Sequence, residues 1–291
     1  MIVGLCGGAG SGKDAAADFL VKNHGFVKVA FADPLKRICQ DVYGFTDQQL
    51  WGPSSCRNAP DQRWPHGAEE YRKAALRDFE LGRQRARSLL EADHPWQTDQ
   101  IVVGYLEGAV NYATEGWLTP RLALQKLGTE WGRYCSPDTW VRYALNVHDR
   151  LQAAHGEAYY EAKTGVRSLI GTGAFMSAKT DIVISDVRFR NEVVLLQGAS
   201  GKVTRIVRKE RPAAQVLEGP VFDKVPETLW DLIANTAFLN KLSAKYAAHV
   251  SETEQKELPD DLFDHHLING GASLELLEAA VAGLATTLRA A

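Results

Sequence analysis

Residues 7–14 read Gly-Gly-Ala-Gly-Ser-Gly-Lys-Asp and come directly after the apolar run Ile2-Val3-Gly4-Leu5-Cys6. A short buried-strand pattern, a glycine-rich turn ending in lysine, and then a helical pattern (Ala15, Ala16, Phe19, Leu20) form the context of a phosphate-binding loop. Glycines let successive backbone N–H groups turn inward around phosphate oxygens, and the next helix points its positive dipole end at them. Gly7, Gly12 and Lys13 hold the Walker A spacing, and Lys13 can reach the β and γ phosphates as a compact charge. Asp14 stands where a Ser or Thr hydroxyl usually ligates magnesium.

The rest of the chain repeats the alternation that this opening starts. Ile2–Cys6, Val27–Phe31, Asp181–Ser185, Lys202–Val207 and His265–Ile268 read as buried parallel strands, short and apolar or β-branched. Helices are expected from Lys13 to about Asn23, from Asp33-Pro34 with Leu35, Ile38, Cys39 and Val42 on one face, and after Thr119-Pro120 and Ser136-Pro137. A last helix from Ser273 is expected to bury Leu274, Leu277, Val281, Leu284 and Leu288. The expectation is a doubly wound α/β fold of the P-loop NTPase type: a five-stranded parallel sheet, helices on both faces, ligands at the carboxyl ends of the strands. Residues 1–291 read as a single domain with a helical substrate-binding or lid insertion at 46–118 and a second helical insertion at 209–262. Residues 156–180, rich in Gly, Ser and Thr, read as a mobile loop.

A net charge of −3 gives no global field to attract DNA or an anionic membrane. The four cysteines show no CxxC spacing and no run approaches eighteen apolar residues, so a reduced cytoplasmic enzyme is expected. The adjacent His265 and His266 have no cysteine or carboxylate at metal-ligand spacing, so no zinc site is read.

Three segments outside the P-loop carry chemistry. The strand ending Ile184-Ser185-Asp186 delivers a carboxylate to the ligand-bearing edge of the sheet, where it would hold magnesium or its water shell, or bind the acceptor. Arg188 could fork onto a phosphate, and Glu192, opening the next helix, could brace it. A structural ion cluster is the alternative. On a helix from Arg121 to Arg133, Arg121, Gln125, Gly128 and Gly132 share one face and Leu124, Leu127 and Trp131 another. The first face suits a planar phosphorylated ligand or, equally, close helix packing. Trp140 is either a base-stacking ring or core. Arg57, Arg63 and the Arg-rich stretch Arg72–Arg87 would suit single-stranded nucleic acid, with bases on Trp51 or Trp64, but a phosphate-closing lid is preferred.

Together these segments resemble the deoxynucleoside monophosphate kinases of bacteriophages, including the T-even type. The similarity runs through Gly10-Ser-Gly-Lys-Asp-Ala-Ala-Ala-Asp-Phe19, Asp33-Pro34-Leu35-Lys36 and Leu124-Gln125-Lys126-Leu127-Gly128-Thr129-Glu130. It continues through Ser185-Asp186-Val187-Arg188 with Glu192, Val207-Arg208, His249-Val-Ser251-Glu252, and Ile268-Asn269-Gly270-Gly271 leading into Ser273-Leu274-Glu275-Leu276. About half the chain is covered, in the family's order, and the family also carries Gly-Lys-Asp in its P-loop. The resemblance implies ATP- and magnesium-dependent phosphorylation of deoxynucleoside 5′-monophosphates by a homodimer. It implies ATP binding by Gly8, Gly10, Ser11, Gly12, Lys13, Asp14 and Ala15, and catalysis by Lys13, Asp186 and Arg188. The acceptor would be bordered by Lys36, Arg57, Arg63, Arg121, Gln125, Gly128, Thr129, Trp140, Asp186, Arg188 and Glu192, with Asp14 and Asp186 organising magnesium. The rivals are another small-molecule P-loop kinase of the dephospho-coenzyme A kinase kind, a kinase of hydroxymethylated bases in DNA, and a nucleotide-dependent DNA-binding module.

Overall fold

The computed structural model describes residues 1–63, 118–133, 137–169, 179–209, 250–271 and 273–290. Five parallel strands form the central sheet: β1 (Ile2–Cys6), β2 (Val27–Val29), β5 (Ile182–Val187), β6 (Lys202–Arg208) and β7 (His265–Asn269), in the order β2-β5-β1-β6-β7. The sheet is the α/β arrangement expected of a P-loop kinase. Each strand read from the sequence is present, with ends moved by a residue or two.

The two faces of β1 explain the two layers. Successive side chains point to opposite sides of a strand. Val3 and Leu5 join Val183, Ile206 and Leu267 under α1 (Lys13–His24) and the last helix α9 (Leu274–Ala290). Ile2 and Cys6 join Ile182, Ile184 and Val203 under α2 (Ala32–Tyr43), α6 (Thr139–Ala153) and α7 (Arg190–Gly198). Gly4 lies on this second face, where a Cβ would meet Leu196 Cδ1 at 3.0 Å, so its bareness lets α7 pack close. In α9 the buried stripe is Leu277, Val281, Ala285 and Leu288; Leu274, expected in it, is exposed at the helix entry.

Three further helices surround the site. They are α3 (Asp47–Trp51), closed by a Thr46–Gln49 capping box, α4 (Ser54–Asn58) and α5 (Pro120–Gln125), whose preceding Thr119 Oγ1 accepts the Leu122 N–H. From Lys126 to Arg133 the chain continues as a π-helix rather than the α-helix the sequence suggested. A short helix α8 (Val250–Glu257) precedes β7.

Residues 156–180 are not a loop throughout. Ala158–Glu161 and Gly165–Ser168 form an antiparallel hairpin, β3–β4. Its Gly165 has φ +84°, and a Cβ there would lie 2.7 Å from Arg37 Nη1. Four-residue strands around such a turn leave too short an alternation to read. The Arg-rich stretch Arg72–Arg87, Trp64, and the helix expected around Glu227–Tyr246 lie outside the described residues.

Candidate functional site

All five strands end at one edge, and the site is built from the segments that leave them there. Past β1 the chain turns through Gly10 (φ +75°) and Gly12 (φ +98°), a left-handed conformation that side chains with a Cβ resist. A Cβ on Gly7 would lie 2.5 Å from Ser11 Oγ and 2.6 Å from the Ile206 carbonyl; one on Gly12 would lie 2.7 Å from Asn269 Nδ2. Ser11 Oγ is buried and lacks a hydrogen-bond partner. Glycine cradles and an orphaned hydroxyl in one loop fit an anionic ligand that supplies the missing contact. Gly8, Gly10, Ser11 and Gly12 form the loop, Lys13 and Asp14 project into the cavity beside it, and Ala15 continues α1.

That cavity, about 600 Å³, runs from Lys13 and Asp14 across the ends of β2 and β5 to α4 and the π-helix. Lys36, Arg57, Arg121, Gln125, Gly128, Thr129, Trp140, Asp186, Arg188 and Glu192 all line it. Arg63 does not. Its guanidinium is forked onto Asp61, with Nε 2.9 Å from Oδ1 and Nη2 2.6 Å from Oδ2, and its Nη1 donates to the Gly44 carbonyl.

The carboxylates are spoken for to different degrees. Asp186 is partly buried, and its two oxygens accept from the Phe31 and Ala32 N–H groups at 2.9 and 3.0 Å. It thereby caps the entry to α2, satisfying first-turn donors that have no helical partner. Burial pushes its pKa up while those two N–H groups oppose the rise. Asp14 is exposed and faces Lys28 Nζ at 3.7 Å. Neither carboxylate belongs to a ready-made metal cage, and no cluster of three or more metal-binding side chains occurs among the described residues. Magnesium held mainly by substrate phosphates needs only one or two protein carboxylates, so both fit that limited role.

Lys36, largely buried, lies 3.7 Å from Asp33 Oδ1 and 5.6 Å from the Trp51 ring; burial lowers its pKa, with Asp33 and Asp186 acting against the fall. Arg57 donates to the Leu50 and Gly52 carbonyls at 3.3 and 2.8 Å, which fixes it at the mouth of α3. Arg121 Nε donates to Asn58 Oδ1. Trp140 is core as well as wall: it is 3% exposed and its indole N–H donates to the Gly128 carbonyl at 2.8 Å.

Among the described residues, Arg133 and Asp33 are parts of the site that were not read from the sequence as such. Arg133 lines the cavity with its guanidinium 3.5 Å above the Phe189 ring, its Nη1 3.5 Å from Glu192 Oε1 and its Nη2 donating to Asn191. An α-helical wheel puts Gly132 on the ligand side, whereas hydrogen bonding from residue i to i+5 in the π-helix brings Arg133 round toward Gly128. Asp33 is the other. Its Oδ2 accepts from the Ala30 N–H at 3.0 Å and the Tyr160 hydroxyl at 2.9 Å.

Glu192 braces the backbone at Arg188 rather than its side chain. Its Oε2 accepts from the N–H groups of Arg188 and Phe189 at 2.7 and 3.0 Å. Burial pushes its pKa up to about 7, against the pull of those donors and of Arg133. Between its ordinary value of 4.5 and about 7, the folded chain keeps a proton that the unfolded chain has released. Glu192 therefore favours folding most below pH 4.5, and that contribution is lost as pH rises through 7. The stability of the wild type relative to Glu192→Gln should fall by on the order of 1–3 kcal/mol between pH 5 and pH 8. Urea unfolding at unit pH steps checks this; parallel stability curves for the two proteins would show that Glu192 stays ionised.

No protein-family model matches the chain. A protein of Acanthamoeba polyphaga mimivirus, named for deoxynucleotide monophosphate kinase activity, is 42% identical over 64 residues. Those residues are 22% of this chain and 33% of that protein, so the chain matches about a third of its relative's length. Among the described residues no helix is long and apolar enough to cross a membrane. The P-loop sheet and the matched segment together liken this chain to a nucleotide kinase.

Proposed function

We propose that the chain transfers the γ-phosphoryl group of ATP to a deoxynucleoside 5′-monophosphate. The observation that carries this reading is one continuous cavity with the P-loop Lys13 and Asp14 at one end and Lys36, Arg57, Arg121, Arg133 and Arg188 around the remainder. Such a site suits two anionic partners at once. The named activity of the mimivirus protein supports the same substrate class.

In this reading Gly8 to Ala15 hold the donor phosphates through backbone N–H groups, and Lys13 steadies the β and γ phosphates. Lys36, Arg57, Arg121 and Arg188 hold the acceptor phosphate, while Gln125, Gly128, Thr129 and Trp140 form the wall for its sugar and base. Asp186 orders the turn that aims Arg188, and Glu192 fixes the backbone beneath it. Magnesium bound to the donor phosphates, organised by Asp14 and Asp186, would neutralise charge as the phosphoryl group moves. Catalysis is positioning and electrostatics, with no covalent intermediate. A homodimer, implied by the phage family, accompanies this reading and is checked by sedimentation.

A coupled ATP-consumption assay over deoxy- and ribonucleoside monophosphates, with dephospho-coenzyme A and single-stranded DNA as controls, tests the proposal. Turnover with at least one deoxynucleoside monophosphate is expected; consumption with dephospho-coenzyme A alone would move the chain to the rival kinase class. Within the acceptor set, Arg188→Lys should lower kcat/KM for the monophosphate by ~10²-fold, because a planar two-pronged contact is replaced by a point charge. ATP affinity should hardly change. Equal weakening of both substrates would make Arg188 a structural residue.

A further inference from the structure

Gln255 joins the two halves of the site. It lies on α8, is 4% exposed, and its amide nitrogen donates to the Gly7 carbonyl at 3.0 Å and the Val187 carbonyl at 3.1 Å, with Cys6 Sγ at 3.6 Å. Cys6 and Val187 are the last register partners of β1 and β5. Beyond them β1 becomes the P-loop and β5 becomes the turn that carries Arg188. The two amide hydrogens thus supply the rung that the backbone ladder lacks where the strands part.

Neighbouring side chains act on the same loop. Asn269 Nδ2 donates to the Ser11 carbonyl at 2.9 Å, and Arg208 Nη1 donates to the Gly10 carbonyl at 3.1 Å. A trans peptide points its C=O and N–H in opposite directions. Drawing the Gly7 and Ser11 carbonyls outward therefore turns the Gly8 and Gly12 N–H groups the other way, toward the phosphate side of the loop. The Ser11 N–H itself closes on the Gly8 carbonyl at 3.1 Å and holds the turn tight.

We propose that Gln255 is a positioning residue that locks the P-loop to the Asp186–Arg188 turn, so that donor and acceptor halves keep one geometry and loosen together. Its catalytic consequence rests on the kinase reading above; its structural consequence does not. Gln255→Met keeps length and volume but has no donor. Amide hydrogen exchange in this variant should speed up at least tenfold at both Gly8–Ala15 and Arg188–Phe189 while Ile182–Ile184 in the middle of β5 is unchanged. Turnover per folded molecule should fall by ~10²-fold, the scale of a misplacement of about 1 Å.

Faster exchange everywhere, with kcat per folded molecule kept, would make Gln255 a stability residue and overturn the proposal. So would loosening of only one of the two segments. A wild type inactive on every monophosphate would sink the kinase reading, and the exchange result would still decide the lock. If the Met variant does not fold, wild type with and without ADP decides: ADP should slow exchange at Arg188–Phe189 and along Glu254–Glu257 as well as in the P-loop. Protection confined to the P-loop would refute the coupling.

Discussion

Lys13→Ala should fold and melt like the wild type yet lose ~10²–10³-fold in turnover, the scale for deleting one positioned electrostatic donor. Lys13 is the first residue of α1, directly after Gly12 with its φ of +98°, and projects into the cavity instead of the core. Alanine is a strong helix former, so nothing in the backbone resists the change. What disappears is a charge held where the β and γ phosphates would lie, and the nearby Lys28 is already engaged, facing Asp14 and Asp18 at 3.7 and 2.9 Å. Lys13→Arg should rescue poorly, because the guanidinium is broader and planar where the loop favours a compact ammonium. Calorimetric melting and coupled-assay kcat values on one preparation check both statements. Near-normal turnover in a folded Lys13→Ala protein would remove the P-loop from the mechanism.

That prediction rests on what local sequence dictates. The P-loop is legible because its glycines are demanded by backbone conformation and by contacts that forbid a Cβ, and both leave their mark within eight residues. The strands are legible because the sheet is covered on both faces, so β1 and the Ile182–Ile184 part of β5 read as apolar runs. Asp186, too, is legible from its place at the end of such a run. What escaped reading depends on distant partners or on helix geometry. Arg133 reaches the cavity through a π-helix that no periodicity of 3.6 anticipates. Arg63, by contrast, sits in an Arg-rich region but is claimed by Asp61, two residues away. Gln255 looks like any polar residue in Glu-Thr-Glu-Gln-Lys-Glu until α8 is seated against the ends of β1 and β5. The hairpin β3–β4, taken for a loop, matters for the same reason: it packs on α6 and brings Tyr160 to a charge buried elsewhere.

That buried charge belongs to Arg37, and Arg37→Met should lower stability by about 3–5 kcal/mol, the range for removing one partner from a buried charged network. Arg37 is 1% exposed. Its Nη2 donates to the Tyr143 hydroxyl and, at 3.4 Å, to the Tyr160 hydroxyl, and its Nε donates to the Asp33 carbonyl at 3.4 Å. The Tyr160 hydroxyl donates a hydrogen bond to Asp33 Oδ2 at 2.9 Å, so cation and carboxylate are linked through a neutral tyrosine. Burial raises the pKa of both tyrosines, which keeps them neutral donors. Methionine matches the length of the side chain but removes the cation that both tyrosine hydroxyls face, leaving them each other at 3.4 Å and Asp33 with Lys36 at 3.7 Å. At about 2–4 °C per kcal/mol in large domains, the melting temperature should drop by on the order of 10 °C. The loss should be shared: Tyr160→Phe removes the link to Asp33, and the double variant should be less destabilised than the two single losses added, by about 0.5–3 kcal/mol. Because Asp33 also lies 3.7 Å from Lys36 and lines the cavity, kcat/KM for the monophosphate should fall too. Asp33 freed of its tether can draw the Lys36 ammonium away from the acceptor. Additive losses, or an Arg37→Met protein melting within a degree of the wild type, would mean that the hairpin and α2 are held by their apolar contacts alone.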